Sequence, residues 1–101
     1  MVNYAIFVRL EAKPDKEEEV AELLRSSQAL VEDEPGTPLW FAVRFSDTTF
    51  AIFDAFPDTN SREDHLSGQV AAALMSKAPE LFVSSPLIEM ADVIASKTPQ
   101  T

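Results

Sequence analysis

Two strand-length runs, residues 39–46 (LWFAVRFS) and 49–56 (TFAIFDAF), are apolar at both odd and even positions, and this limits the possible folds more than any other feature of the chain. Successive strand side chains point to opposite faces. The first run therefore puts Leu39, Phe41, Val43 and Phe45 on one side and Trp40 and Ala42 on the other. The second sets Phe50, Ile52 and Phe56 against Ala51, Phe53 and Ala55. Ser46-Asp47-Thr48-Thr49 is short enough to join them as a hairpin. A sheet apolar on both faces needs cover on both, because large contiguous apolar patches left in water mark an interface. Helices of the chain can cover one face. A second copy, packed sheet against sheet, is the expected cover for the other, so the pattern predicts a homodimer through the open sheet face.

The flanking segments supply the helices. Residues 3–11 alternate, with Tyr4, Ile6, Val8 and Leu10 opposite Ala5, Phe7, Arg9 and Glu11, and form a strand that Lys13-Pro14 closes. Asp15 with Glu18 three residues on has the form of an N-cap and capping box for a helix to about Glu34. Val20, Leu23, Leu24, Ser27, Leu30 and Val31 line one face of that helix. Pro35-Gly36-Thr37-Pro38 ends it. A second helical region starts around Thr59 to Ser61, with Ser61 and Asp64 at capping spacing. Val70, Leu74, Ala78 and Leu81 carry its apolar face, Gly68 punctuates it, and Pro79 should end or kink it near Ala78 for want of an amide donor. Residues 86–95 make a fourth strand. The order βαββαβ predicts a ferredoxin-like α+β domain over residues 1–95, a four-stranded antiparallel sheet with both helices on one face, followed by a flexible tail at 96–101.

Composition removes several function classes. A formal charge of −9 opposes binding to phosphate backbones and to anionic membranes, so neither nucleic acid nor membrane is an expected partner. The acids at Asp15, Glu17, Glu18, Glu19 and Glu22, and again at Glu32, Asp33 and Glu34, read as the solvated face and ends of a helix. No window approaches a membrane span. The N-terminal run carries Arg9 and Glu11 and is a strand rather than a signal peptide, which makes a cytoplasmic protein the expectation. With no cysteine and one histidine, the chain cannot assemble the multi-His or Cys-rich shell of a usual transition-metal site, so no metal is expected. Gly36 and Gly68 sit in no glycine-rich phosphate loop, and no serine-nucleophile motif is present.

From residue 3 to residue 95 the chain resembles the antibiotic biosynthesis monooxygenase-like domain of the dimeric α+β barrel superfamily. The resemblance is carried by FVRLEAKPDKEEEVAELL after the first alternating residues, the Glu34-Pro35-Gly36 link, FDAFPD at the end of the third strand, and REDHLSGQVAAAL in the second helical region. That fold is shared by quinol and anthrone oxygenases that need no cofactor, by heme-degrading enzymes, by isomerases and by members without assigned activity. The positions at which the heme-degrading branch carries Asn, Trp and a heme-ligating His read Val8, His65 and Leu74 here, which removes the axial ligand. Asp54-Ala55-Phe56 keeps the acid of an acidic-x-Trp pattern and lacks its indole.

The resemblance implies a cofactor-independent monooxygenase acting on a small quinol-like or polyketide-like aromatic substrate. Such an enzyme binds a flat apolar molecule, removes a proton and stabilises the resulting anion away from water. His65 is the expected base, against the alternative of a surface or helix-packing residue. Asp54 either orients His65 or pairs with Arg44 across the hairpin. Arg44 is the candidate for stabilising an enolate. Trp40 and Tyr4 either stack on the substrate or belong to the core or dimer interface. Asn60 offers a polar contact from the turn or caps the helix. Two other readings stay open: a non-catalytic small-molecule-binding or stress-response domain, and an isomerase or decarboxylase with His65 as base.

Overall fold

The chain folds into four strands in the order β2-β3-β1-β4 with every neighbouring pair antiparallel, in a computed structural model that describes residues 1–99. The elements are β1 (Tyr4–Glu11), α1 (Glu17–Glu32), β2 (Leu39–Arg44), β3 (Thr49–Phe56), α2 (Thr59–Leu66), α3 (Gln69–Leu81) and β4 (Leu87–Asp92). This is the ferredoxin-like α+β arrangement, with the second helical region divided in two. β1 and β3 form the sheet's centre, in a register that sets Val8 against Ile52 and Leu10 against Phe50.

Strand alternation separates two faces. On the helix side, Ile6, Val8, Leu10, Phe50, Ile52 and Phe56 pack with Val20, Leu24, Leu74, Ala78 and Leu81 into one core. Phe50, Phe56, Ile6 and Leu10 are 2% exposed or less, and each contributes about 1.5–3 kcal/mol by leaving water. On the other side, Phe41, Phe53 and Phe7 stand side by side across three strands. Phe41 (53% exposed), Phe45 (57%) and Leu87 (65%) leave this face apolar and open to solvent. Arg9 lies over it, its guanidinium above the rings of Phe7 and Phe45.

The helix ends differ from the sequence expectations for identifiable reasons. Asp15 does not cap α1. It takes the left-handed conformation (φ 68°) that the turn after Lys13-Pro14 requires, and Lys16 becomes the N-cap residue without a side-chain cap bond. Glu17, Glu18 and Glu19 in the first turn still suit the positive end of the helix dipole. In α2 the cap is Asp58, which accepts the Ser61 N–H at 2.7 Å, and not Ser61 or Asn60.

The second helical region breaks at Ser67-Gly68. A side chain at Gly68 would meet the Asp64 carbonyl at 3.2 Å. Pro79 does not end α3, which continues to Leu81. Its missing N–H costs the single bond to the Met75 carbonyl four residues back, and separately the last carbonyls of the helix find donors outside it, with Lys13 Nζ donating to the Pro79 carbonyl at 2.6 Å and the Lys13 N–H to that of Leu81 at 2.8 Å. β4 stops at Asp92, three residues short of the expected limit. Of the expected tail, residues 100 and 101 lie outside the described residues. Among the described residues no helix is long and apolar enough to cross a membrane.

Candidate functional site

Three side chains from three separate elements meet under α2. Asp54 lies on the helix-facing side of β3, level with Trp40 on β2 and Ile6 on β1, and is 1% exposed. The Pro57-Asp58 turn folds α2 back over the sheet, so that His65 in its last turn is buried against the ring of Phe56, with centroids 5.4 Å apart. His65 Nε2 lies 2.9 Å from Asp54 Oδ2, and His65 Nδ1 lies 2.5 Å from Glu34 Oε1. Glu34 follows α1, where its N–H bonds the Val31 carbonyl, and Thr37 Oγ1 donates to its Oε1 at 2.9 Å.

Sequence reasoning placed Glu34 among solvated helix-end acids, and that expectation is corrected. Its side chain is 20% exposed and holds the imidazole. The loop after α1 is seated on α2 so closely that a side chain at Gly36 would meet Ser61 Oγ at 2.9 Å.

The electrostatics follow from this packing. Burial alone would weaken the hold of His65 on its proton, but the hydrogen bonds and charges of Asp54 and Glu34 outweigh it and raise the imidazole above its usual value. Burial raises Asp54 in turn, opposed by the hydrogen bond and charge of His65. The coherent description is an imidazolium donating both N–H groups, one to each carboxylate, near the negative end of the α2 dipole. No ring nitrogen is left free. Asp54 Oδ1, by contrast, is buried with no hydrogen-bond partner, and so is Nε1 of its neighbour Trp40.

A cavity of about 530 Å³ opens between α1 and β2, with Leu24, Val31, Trp40 and Phe50 as its apolar wall and Glu34 and Arg44 among its polar groups. A second, of about 300 Å³, lies between the 33–37 loop and α2 and is lined by Glu34, Thr37, Ser61 and His65. Glu34 and Thr37 border both. Among the described residues no group of three or more His, Asp or Glu side chains is arranged to hold a metal ion.

The other candidates fall elsewhere. Arg44 does not pair with Asp54. It faces Phe50 across the hairpin, bonds Glu18 at 3.1 Å and the carbonyls of Ser46 and Asp47, and keeps its guanidinium 4.8 Å above the Phe50 ring at the cavity's edge. Trp40 lines the larger cavity. Tyr4, at the start of β1, stacks with Arg62 of α2, and Asn60 is an exposed residue of α2. Neither belongs to the wall of either cavity. Val8 and Leu74 are core residues. Glu34 was the residue missed, and the signal that could have found it is the Glu-Pro-Gly-Thr stop, which holds an acid at a fixed loop instead of on a free helix end.

The chain has the antibiotic biosynthesis monooxygenase-like α+β fold. It superposes with TM-scores of 0.81 and 0.79 on proposed antibiotic biosynthesis monooxygenases from Nitrosomonas europaea and Caulobacter crescentus. Each is 16% identical, with 91% of this chain and 99% of the other covered in the first case, and 93% and 92% in the second. It belongs to one family with a protein of unknown function from Nitrosomonas europaea, to which it is 48% identical over 100% of this chain and 98% of that one, with a TM-score of 0.97. No protein-family model and no curated protein matches the sequence.

Proposed function

We propose that the protein is a cofactor-independent monooxygenase, cytoplasmic and homodimeric through its open sheet face, acting on a planar quinol-like or polyketide-like aromatic. One observation carries this reading: a buried Asp54–His65–Glu34 cluster presents Glu34 to a cavity of small-molecule size walled by Trp40 and Phe50. The chemistry requires no bound redox group. Loss of a proton turns a phenol or enol into an electron-rich anion that reduces dioxygen by one electron, and recombination at the ring carbon forms a peroxide. That peroxide collapses to a carbonyl and water. The carbon exchanges two C–H bonds for one C=O, one oxygen atom stays and the other leaves as water, so the substrate supplies all four electrons.

Because both nitrogens of His65 are occupied and Asp54 lines neither cavity, Glu34 is the group that accepts the substrate's proton. His65, held by Asp54, is a positioning residue that orients Glu34, and Glu34 also borders the smaller cavity, its outlet toward solvent. Arg44 at the edge of the larger cavity stabilises the anion. The same occupied nitrogens count against an isomerase or decarboxylase with His65 as its base. They favour, as the second reading, a non-catalytic binding domain in which the triad only clamps the loop to α2.

Dioxygen uptake by metal- and flavin-free protein, with hydroquinones and anthrones, distinguishes the two. The oxygenase consumes oxygen above the autoxidation rate, and loses that excess in Glu34→Gln. Rates equal to autoxidation across the panel would favour the clamp.

A further inference from the structure

We infer, building on the oxygenase reading, that Thr37 is a positioning residue for Glu34: its hydroxyl and the His65 imidazolium together occupy Oε1, which leaves Oε2 as the oxygen that takes the substrate's proton. Thr37 Oγ1 donates to Oε1 at 2.9 Å, and His65 Nδ1 lies 2.5 Å from the same oxygen. Each carboxylate oxygen offers about two acceptor sites, so two donors fill Oε1. Among the described residues both hydrogen bonds to this carboxylate end there. Oε2 stands beside Gly68, where a Cβ would come within 3.3 Å of it. Glycine at that position keeps the oxygen clear, and the Glu34 side chain is 20% exposed in the wall that the two cavities share.

A glutamate carboxylate is not oriented by its own rotamer, because rotation about the last side-chain bond is broad and roughly two-fold. One donor leaves that rotation available. Two donors that converge on one oxygen from different elements remove it, and Thr37 is held so as to supply the second. Its N–H bonds the Glu34 carbonyl at 3.2 Å, which closes the Glu34-Pro35-Gly36-Thr37 turn. Pro38 restricts the backbone of the residue before it, and a β-branched side chain has few χ1 choices. Thr37 is buried, so little water competes for its hydroxyl. When Oε2 takes a proton, Oε1 remains an acceptor and neither donor has to move. Base and conjugate acid therefore keep one geometry, which is what a positioned proton acceptor requires.

Thr37→Val keeps the branched shape and removes the donor, Thr37→Ala removes it with a smaller side chain, and Thr37→Ser keeps it. In the native chain and the three variants, oxygen uptake is followed with the hydroquinone or anthrone that reacts fastest. The Nδ1–H proton of His65, the sole histidine, is followed by nuclear magnetic resonance without substrate. For Thr37→Val and Thr37→Ala the expected kcat is about tenfold lower, with KM changed by less than about twofold, since the carboxylate is present but turned out of line. The Nδ1–H resonance should move downfield in both, because His65 no longer shares Oε1. Thr37→Ser should be native-like in both readouts.

An Nδ1–H resonance that stays in place when the hydroxyl is removed would overturn the inference, because Thr37 would then not share Oε1. So would a moved resonance with kcat unchanged, or a loss of kcat that Thr37→Ser also shows. A resonance that moves in Thr37→Val and stays native-like in Thr37→Ser, in a chain that consumes no oxygen, would sink the oxygenase reading and leave the oriented carboxylate standing.

Discussion

Replacing His65 with alanine should cost about 3–5 kcal/mol at pH 7, the range for removing one partner of a buried ion pair, and the cost should depend on pH in a way that identifies its source. Asp54 is 1% exposed and would lose the donor on Oδ2. It can escape by taking a proton. From an ordinary aspartate value of about 3.9 to pH 7 that escape costs about 4 kcal/mol, at 1.36 kcal/mol per pH unit, and this caps the electrostatic part of the loss. Losing the ring against Phe56 adds about 0.5–1.5 kcal/mol, offset in part by no longer burying the imidazole.

In the wild type the raised His65 makes stability full below about pH 6.5, the unfolded value, and falling as pH rises through the folded one. In the variant the folded state carries the extra proton on Asp54, so its stability rises toward acid over the whole range above about pH 4. The difference between the two should therefore shrink between pH 6.5 and 4.5 by at most about 1.4 kcal/mol per pH unit, because the raised Asp54 of the wild type also gains stability toward acid. Urea unfolding at fixed protein concentration, at pH 6.5, 5.5 and 4.5, measures it. Adding Asp54→Asn to His65→Ala should recover about 2–3 kcal/mol at pH 6.5 and almost nothing at pH 4.5. A loss independent of pH, and unrelieved by Asp54→Asn, would refute the reasoning and reduce His65 to a packing ring.

Gly36→Ala should destabilise by about 1–3 kcal/mol, because its Cβ would press on Ser61 Oγ at 2.9 Å and Ser61 Cβ at 3.0 Å; Ser61→Gly in the same chain should restore most of the loss in thermal unfolding. Asp58→Ala removes the cap of α2 and should cost about 1 kcal/mol in urea unfolding. A charge placed in the open sheet face, Phe41→Asp or Phe53→Asp, should leave the helix-side core intact and halve the molar mass seen by light scattering, since both rings stand in the row that would meet a second copy. A monomeric wild type, or dimeric variants, would place the contact elsewhere.

The fold was legible because its signals are local. Alternation at residues 3–11, the apolar run at 49–56 and a 3.6-residue period through Val20, Leu24, Ser27 and Val31 each need only a short window, and all appear in the structure. Helix ends were less legible, because Asp15 serves equally well as a cap or as a left-handed turn residue, and the neighbouring Lys13-Pro14 decides which. Pro79 misled because a proline near a helix end removes only one bond, here to Met75, while the end itself is held by Lys13, 66 residues away, bonding the last-turn carbonyls.

In the site, an Asp54–His65 contact could be imagined because the 57–60 turn links them directly. Glu34 was harder to read, since its partner lies 31 residues on and only the Glu-Pro-Gly-Thr stop sets it apart from an acid on a free helix end. Arg44 and Asp54 stand on adjacent strands with opposite charges, but register sets Phe50 opposite Arg44 and Trp40 opposite Asp54. A register shift is invisible to composition.

The most direct test of the central claim is a turnover under ¹⁸O₂ with the quinol or anthrone that gives the fastest oxygen uptake, followed by mass analysis of the product. A cofactor-free monooxygenase incorporates one labelled atom per product and releases the other as water, and does so in metal- and flavin-free protein with Glu34 intact. A product that carries no label, or that takes its oxygen from solvent, would contradict the account.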